Sequence, residues 1–336
     1  MIILSIEILS VMYSSNSKTA VRRVVEMRKK MSTIIELLRE KKLLVIDGSF
    51  ASELEKAGLN LCDSLWSAKA LYENPELVTK VHENYFESGA DIAITGSYQA
   101  HVQGLLGKGF THEKSIELIK LSVKLAKKAK ENCLKKHPER KFAIAAAVGP
   151  YGAYLADGSE YVGNYGLSVK ELEEFHEEKI EALASENPDF FAFETIPSFD
   201  EARAYVNILK RHENITGWFT FSCKDEKHIS EGVEISEVAK FLDKENQVHA
   251  IGVNCTGPEY IGPLICEIKK ATDKPVAVYP NTGENYDPVT KTWSGEPVDF
   301  TKYAKRWYES GAKLIGGCCR TSPDEIKAVC KFAKSI

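Results

Sequence analysis

The chain has 336 residues, 43% of them apolar and 27% charged, with a formal net charge of −4. That length and apolar content can build a sizeable core and exclude general disorder. The small charge leaves no basic field for a phosphate backbone, so no nucleic-acid partner is expected.

The first thirty residues stand apart. Met1 to Met12 is mostly apolar, but Glu7 interrupts it and no basic residue precedes it. That makes a poor secretory signal and a segment too short to span a bilayer, so no membrane partner is expected. Val21-Arg22-Arg23 and Arg28-Lys29-Lys30 give only a weak targeting pattern. Residues 1–30 are read as a disordered extension or a start-site artefact, and residues 31–336 as one domain. Met31-Ser32 opens its first helix.

From Lys42 onward, short apolar runs alternate with amphipathic stretches. Leu43-Leu44-Val45-Ile46 is the first run, ending in Asp47-Gly48-Ser49-Phe50. A helix over 75–88, stopped by Gly89, leads to Asp91-Ile92-Ala93-Ile94-Thr95. A long helix over 111–136 precedes the third run, 142–148. Residues 150–167, rich in Gly and Tyr, form a long functional loop. Ser168 caps the next helix, and the fourth run, Phe190-Phe191-Ala192-Phe193, ends at Glu194-Thr195. Helix 198–211 and the run 218–221 follow, then helix 234–244 and the run His249-Ala250-Ile251-Gly252-Val253 before Asn254-Cys255. Helix 259–271, the run 275–279, a second long loop over 280–297, helix 299–310, the run 313–315 and helix 323–334 complete the chain.

Eight strand-then-helix units with continuously apolar strands predict a (β/α)8 TIM barrel, with a doubly wound open sheet as the alternative. No Gly-x-Gly-x-x-Gly follows a strand and no phosphate loop is present, which removes the main support for nucleotide binding. In a barrel the carboxyl ends of all strands converge on one face. Those positions collect Asp47, Thr95, Tyr98, Gln99, Glu194, Asn254, Cys255, Tyr279, Asn281, Cys318 and Cys319.

Three of the eight cysteines lie there beside glycines. Adjacent cysteines rarely bridge each other, and eight cysteines in a chain this long suit a reducing compartment such as the cytoplasm, with thiols free. Cys318 and Cys319 with Cys255 make three soft ligands for a metal. No Cys-x-x-Cys or His-x-x-x-His offers the fourth fixed ligand of a structural zinc site. Three thiolates on Zn²⁺ leave one position open, the mark of a catalytic site, and a substrate thiol bound there would be deprotonated yet nucleophilic. Cys62, Cys133, Cys223, Cys266 and Cys330 are read as structural.

Gly316-Gly317-Cys318-Cys319-Arg320-Thr321, Gly252-Val253-Asn254-Cys255, Asp47-Gly48-Ser49-Phe50 and Glu194-Thr195-Ile196-Pro197 together resemble the motifs of the homocysteine S-methyltransferases. The match runs from about Leu43 to the C-terminus, with four motifs in order. The resemblance implies a zinc-dependent barrel with Cys255, Cys318 and Cys319 as ligands. It also implies methyl transfer from a sulfonium donor, S-methylmethionine or S-adenosylmethionine, to homocysteine, giving methionine. A betaine-dependent relative and a non-catalytic zinc-thiolate redox or metal sensor are the alternatives. Asp47 and Glu194 are then candidates to receive the substrate ammonium. The backbone N–H groups of Gly48, Ser49 and Phe50 offer a nest for its carboxylate. Trp66, Tyr98 and Phe50 are candidates to face the sulfonium, with Thr95 and Asn254 orienting neighbours. Arg320 is read as offsetting the thiolate charge or lying at the surface, and His101 as a loop residue. The expected partners are these small molecules, in a monomer or small homo-oligomer.

Overall fold

The computed structural model describes residues 33–61, 65–287 and 292–336. The expectations for residues 1–30, for Met31-Ser32 and for Cys62 fall outside that set. Seven parallel strands appear in order: β1 (Leu44–Val45), β2 (Ile92–Ile94), β3 (Ala143–Val148), β4 (Phe190–Ile196), β5 (Gly217–Phe221), β6 (Val248–Asn254) and β7 (Val276–Tyr279). A short antiparallel hairpin follows, β8 (Asn285–Asp287) with β9 (Thr292–Ser294), and then β10 (Ala312–Ile315) supplies the eighth parallel strand. β10 sits between β7 and β1, so the sheet order is β1-β10-β7-β6-β5-β4-β3-β2. A parallel bridge from Ile46 to Ile92 joins the two outer strands and closes the barrel. The open-sheet alternative is thereby excluded.

Alternation along each strand divides the core in two. Leu44, Ile46, Ala143, Ala145, Phe190 and Ala192 pack inside the barrel. Their neighbours Val45, Ile144, Ala146, Phe191 and Phe193 face the helices. Ile34 and Leu37, on the helix Thr33–Glu40, join the interior set. β6 runs so close to β7 at Gly252 that an added Cβ would lie 1.7 Å from the Ala277 carbonyl oxygen, which explains the glycine inside that strand.

Helix limits follow the sequence signals. Pro75–Ser88 starts behind an Asn74 cap and stops at left-handed Gly89, and capping boxes open the helices at Ser168 and Ser322. Several short elements carry no clear period: the helices Phe50–Lys56 and Val102–Gly107, the turns inside 150–167, and the β8–β9 hairpin. The two long loops therefore contain structure, where irregular chain was expected. Among the described residues no helix is long and apolar enough to cross a membrane.

Candidate active site

β6 and β10 end at the same side of the barrel, separated only by β7. Cys255, directly after β6, adopts φ +48°, and its N–H donates to the Tyr279 carbonyl at 3.2 Å. Cys318 donates its N–H to Pro280 O at 2.8 Å, and Cys319 donates its own to Asn281 Oδ1 at 3.1 Å. The β7 end thus fixes all three cysteines. Their sulfurs lie within 4.8 Å of one another, and no fourth His, Cys, Asp or Glu among the described residues joins the group. Tetrahedral zinc with Zn–S bonds of about 2.3 Å holds its sulfurs roughly 3.8 Å apart, so three reduced thiolates here are of the type and number to hold one such ion with a position open.

One expectation is corrected. Free thiols were anticipated, but Cys255 and Cys318 are joined as a disulfide while Cys319 is free. Their Cα atoms are 5.5 Å apart, inside the span that a disulfide bridges. The convergence that would suit a metal also lets two of the three sulfurs meet. Burial pushes the Cys319 thiol up to about 11. A bound cation reverses that preference.

Asp47 and Glu194, at the ends of β1 and β4, are both buried. Asp47 Oδ2 accepts from the Ile94 N–H at 2.9 Å. Burial raises Asp47 well above the usual carboxylate range; the Ile94 bond opposes this and the Glu194 charge adds to it. Burial pushes Glu194 up to about 8, against a hydrogen bond to Tyr279 and the charge of Lys179. The Tyr279 hydroxyl is itself held by Trp218 Nε1 at 3.0 Å and Thr220 Oγ1 at 2.6 Å. The two carboxylates feel one another's charge, and a cation bound near them would favour their ionised forms.

The Asp47-Gly48-Ser49-Phe50 turn is packed under the Cys318–Thr321 loop. A Cβ at Gly48 would meet Thr321 Oγ1 and the Tyr85 ring at 2.9 Å, so only glycine fits. Ser49 donates its N–H to Thr321 Oγ1 at 3.0 Å and caps the helix Phe50–Lys56 through its side chain. That donor is committed within the protein, which reduces the proposed nest to Gly48 and Phe50. The Phe50 ring stacks on buried His82, with centroids 5.3 Å apart, and also packs against Gly96, where an added Cβ would lie 2.7 Å from it. Trp66 begins a short 3-10 helix, Trp66–Lys69, and its side chain lies outside the described set.

Thr95 Oγ1 accepts from Ala147 N–H at 2.9 Å and pairs with Ser97, so it braces β2 against β3. Tyr98 packs against Gly149, and its hydroxyl meets Thr195. Asn254 grips Thr195 twice: Oδ1 accepts the Thr195 N–H and Nδ2 donates to Thr195 Oγ1, both at 2.7 Å. Thr195 has φ +57°, a strained value for a β-branched residue, and this double bond holds it there. Arg320, also left-handed at φ +70°, pairs with Glu284 at the rim.

His101 is a loop residue, as read, at the N-cap of the helix Val102–Gly107, and it is fully buried and stacked on Phe175. Lys179 was missed. It lies on the inner face of helix Val169–Ala184 and is 1% exposed, donating to the Tyr98 carbonyl at 2.9 Å. Burial pushes it down to about 7. Its signal was a lysine inside the apolar stripe Leu172, His176, Ile180, Leu183.

The family model described as homocysteine S-methyltransferase matches residues 44–333. The chain belongs to the homocysteine S-methyltransferase family. The Bacillus subtilis homocysteine S-methyltransferase YbgG is 47% identical over 312 residues, covering 91% of this chain and 99% of its own. The metallated form of the Escherichia coli homocysteine methyltransferase MmuM superposes with a TM-score of 0.81 at 41% identity, over 88% of this chain and 98% of that one. The oxidized form of the same protein gives 0.80 at 41%, over 87% and 97%. Membership makes this chain an enzyme. That Escherichia coli relative has been solved both metallated and oxidized.

Proposed function

We propose that the protein transfers a methyl group from a sulfonium donor, S-methylmethionine or S-adenosylmethionine, to homocysteine, and that zinc held by Cys255, Cys318 and Cys319 is required. The observation that carries this reading is the convergence of three sulfurs beside two buried carboxylates. Zinc bound there would keep a substrate thiol ionised at neutral pH. Asp47 and Glu194 receive the amino-acid ammonium, while the Gly48 and Phe50 N–H groups offer donors to its carboxylate. Tyr279 and Lys179 set the position and charge of Glu194. In transfer, the donor S–CH₃ bond breaks with its electrons staying on the donor sulfur, and a new S–CH₃ bond forms on homocysteine, giving methionine. Once the thiol is ionised no general base is needed, so positioning carries most of the rate.

A redox or metal sensor would use the same cysteines, and the Cys255–Cys318 disulfide is compatible with it. Two buried carboxylates at the strand ends have no task in that reading. The assay supplies homocysteine with equal concentrations of S-methylmethionine, S-adenosylmethionine or betaine to the reduced, zinc-loaded protein. Methionine formation with the sulfoniums ahead of betaine is expected. Turnover with betaine alone contradicts the donor, and no turnover with any of them contradicts the activity.

A further inference from the structure

A third carboxylate reaches the barrel mouth from another direction. Glu160 lies in the short turn Ser159–Tyr161, within the long loop after β3. The turn is fixed in place: Ser222, just past β5, donates its hydroxyl to Glu160 O at 2.9 Å. The turn backbone packs so tightly on Gly152 that an added Cβ there would sit 2.3 Å from Glu160 N. The next residue, Tyr161, hydrogen-bonds the Cys319 sulfur, so the turn lies over the cysteine cluster. The Glu160 charge is felt by Cys319 and is the largest charge acting on Tyr98.

Glu160 Oε2 is nevertheless buried with no hydrogen-bond partner. The carboxylate takes backbone hydrogen bonds at Glu160 and Gly158, and among the described residues the side-chain charge that acts on it is that of Asp157, also negative. A buried carboxylate oxygen with no partner and no cation beside it is unfavourable unless a ligand completes it. The reaction brings three cationic groups to this mouth: the homocysteine ammonium and the donor's sulfonium and α-ammonium. The first goes to Asp47 and Glu194, on β1 and β4, which leaves the two of the donor.

We propose that Glu160 receives the positive charge of the methyl donor. This rests on the sulfonium reading above and deepens it, since both sulfonium donors are cations at the sulfur and at the α-ammonium. A carboxylate near the sulfonium stabilises the ground state, because the charge disappears as the methyl leaves, and one on the ammonium acts equally on ground and transition states. In either case its removal weakens donor binding more than it slows the bound complex.

The test is calorimetric titration of the reduced, zinc-loaded enzyme with S-methylmethionine, alongside homocysteine kinetics, for wild type, Glu160→Gln and Glu160→Ala. Both variants should weaken donor binding at least tenfold, with the KM for homocysteine within twofold of wild type and an unchanged melting temperature. A parallel titration uses dimethylsulfoniopropionate, which keeps the sulfonium and lacks the α-ammonium. Equal weakening with both ligands assigns Glu160 to the sulfonium, and weakening with S-methylmethionine alone assigns it to the ammonium; both uphold the proposal. Wild type that binds the sulfoniums while the variants bind them equally well overturns this proposal alone, as does a comparable rise in homocysteine KM. Wild type that binds neither sulfonium overturns the sulfonium reading and the proposal with it.

Discussion

At the scale of single residues, the acidic pair shows how environment separates similar side chains. Asp47 and Glu194 are both buried, but only Glu194 has a phenol and a lysine ammonium working against its desolvation. Asp47→Asn and Glu194→Gln should each raise the homocysteine KM by about 30- to 150-fold, the equivalent of roughly 2–3 kcal/mol for a charged hydrogen bond, with zinc content unchanged. Unchanged KM in both variants would return these residues to a structural role. Glu194 also gives a pH signature. A carboxyl raised to about 8 is neutral below that pH and ionised above it. Its attraction for an ammonium is present above about pH 8 and is lost as pH falls. Homocysteine KM should therefore rise on acidification through that range in wild type. Because Asp47 and Lys179 lie in the same charge network, the diagnostic is the difference from Glu194→Gln, which should remove part of the slope. The ligand cysteines and the carboxylates were legible because strand-end positions can be counted from apolar runs. Lys179 and Glu160 were not, since a helix face and a turn reach the mouth only through tertiary packing.

At the scale of elements, the link between β4 and β6 is the feature that shapes the mouth. Asn254 at the end of β6 holds Thr195 at the end of β4 in a left-handed conformation, next to Glu194 and one residue before Cys255. Asn254→Ala removes both bonds at a fully buried position. The orphaned groups should cost about 1–3 kcal/mol each, seen as a lower urea midpoint, and activity should fall further than stability explains because Glu194 and Cys255 both lose their brace. A variant as stable and active as wild type would show that the double bond does not position the site. The placement of Asn254 and Thr195 at strand ends was readable in the sequence. Their pairing was not, because hydrogen-bond geometry depends on strand register. The long strands and the capped helices were readable from period and caps. The helices Phe50–Lys56 and Val102–Gly107 are too short to show a period, and the β8–β9 hairpin has only three residues a side.

At the scale of the whole molecule, the barrel is closed by β1 pairing with β10 and bridging to β2, and its interior is plugged at one end by Ile34 and Leu37. Among the described residues the core begins with that helix, and a chain starting at Met31 should keep its kinetic constants and melt within about 2 °C of the full-length protein. A large loss on truncation would place residues 1–30 in the working structure. Eight units without a break made the closed barrel readable, since continuous apolar strands need cover on both faces. The Cys255–Cys318 disulfide was not readable, because sequence alone does not say whether two converging sulfurs meet each other or a metal. Zinc K-edge X-ray absorption of the reduced, zinc-loaded protein, with and without homocysteine, addresses that choice most directly. The account predicts one zinc with three sulfur neighbours at about 2.3 Å, rising to four when homocysteine is added. Fewer than three sulfurs, or a count that homocysteine leaves unchanged, would contradict it.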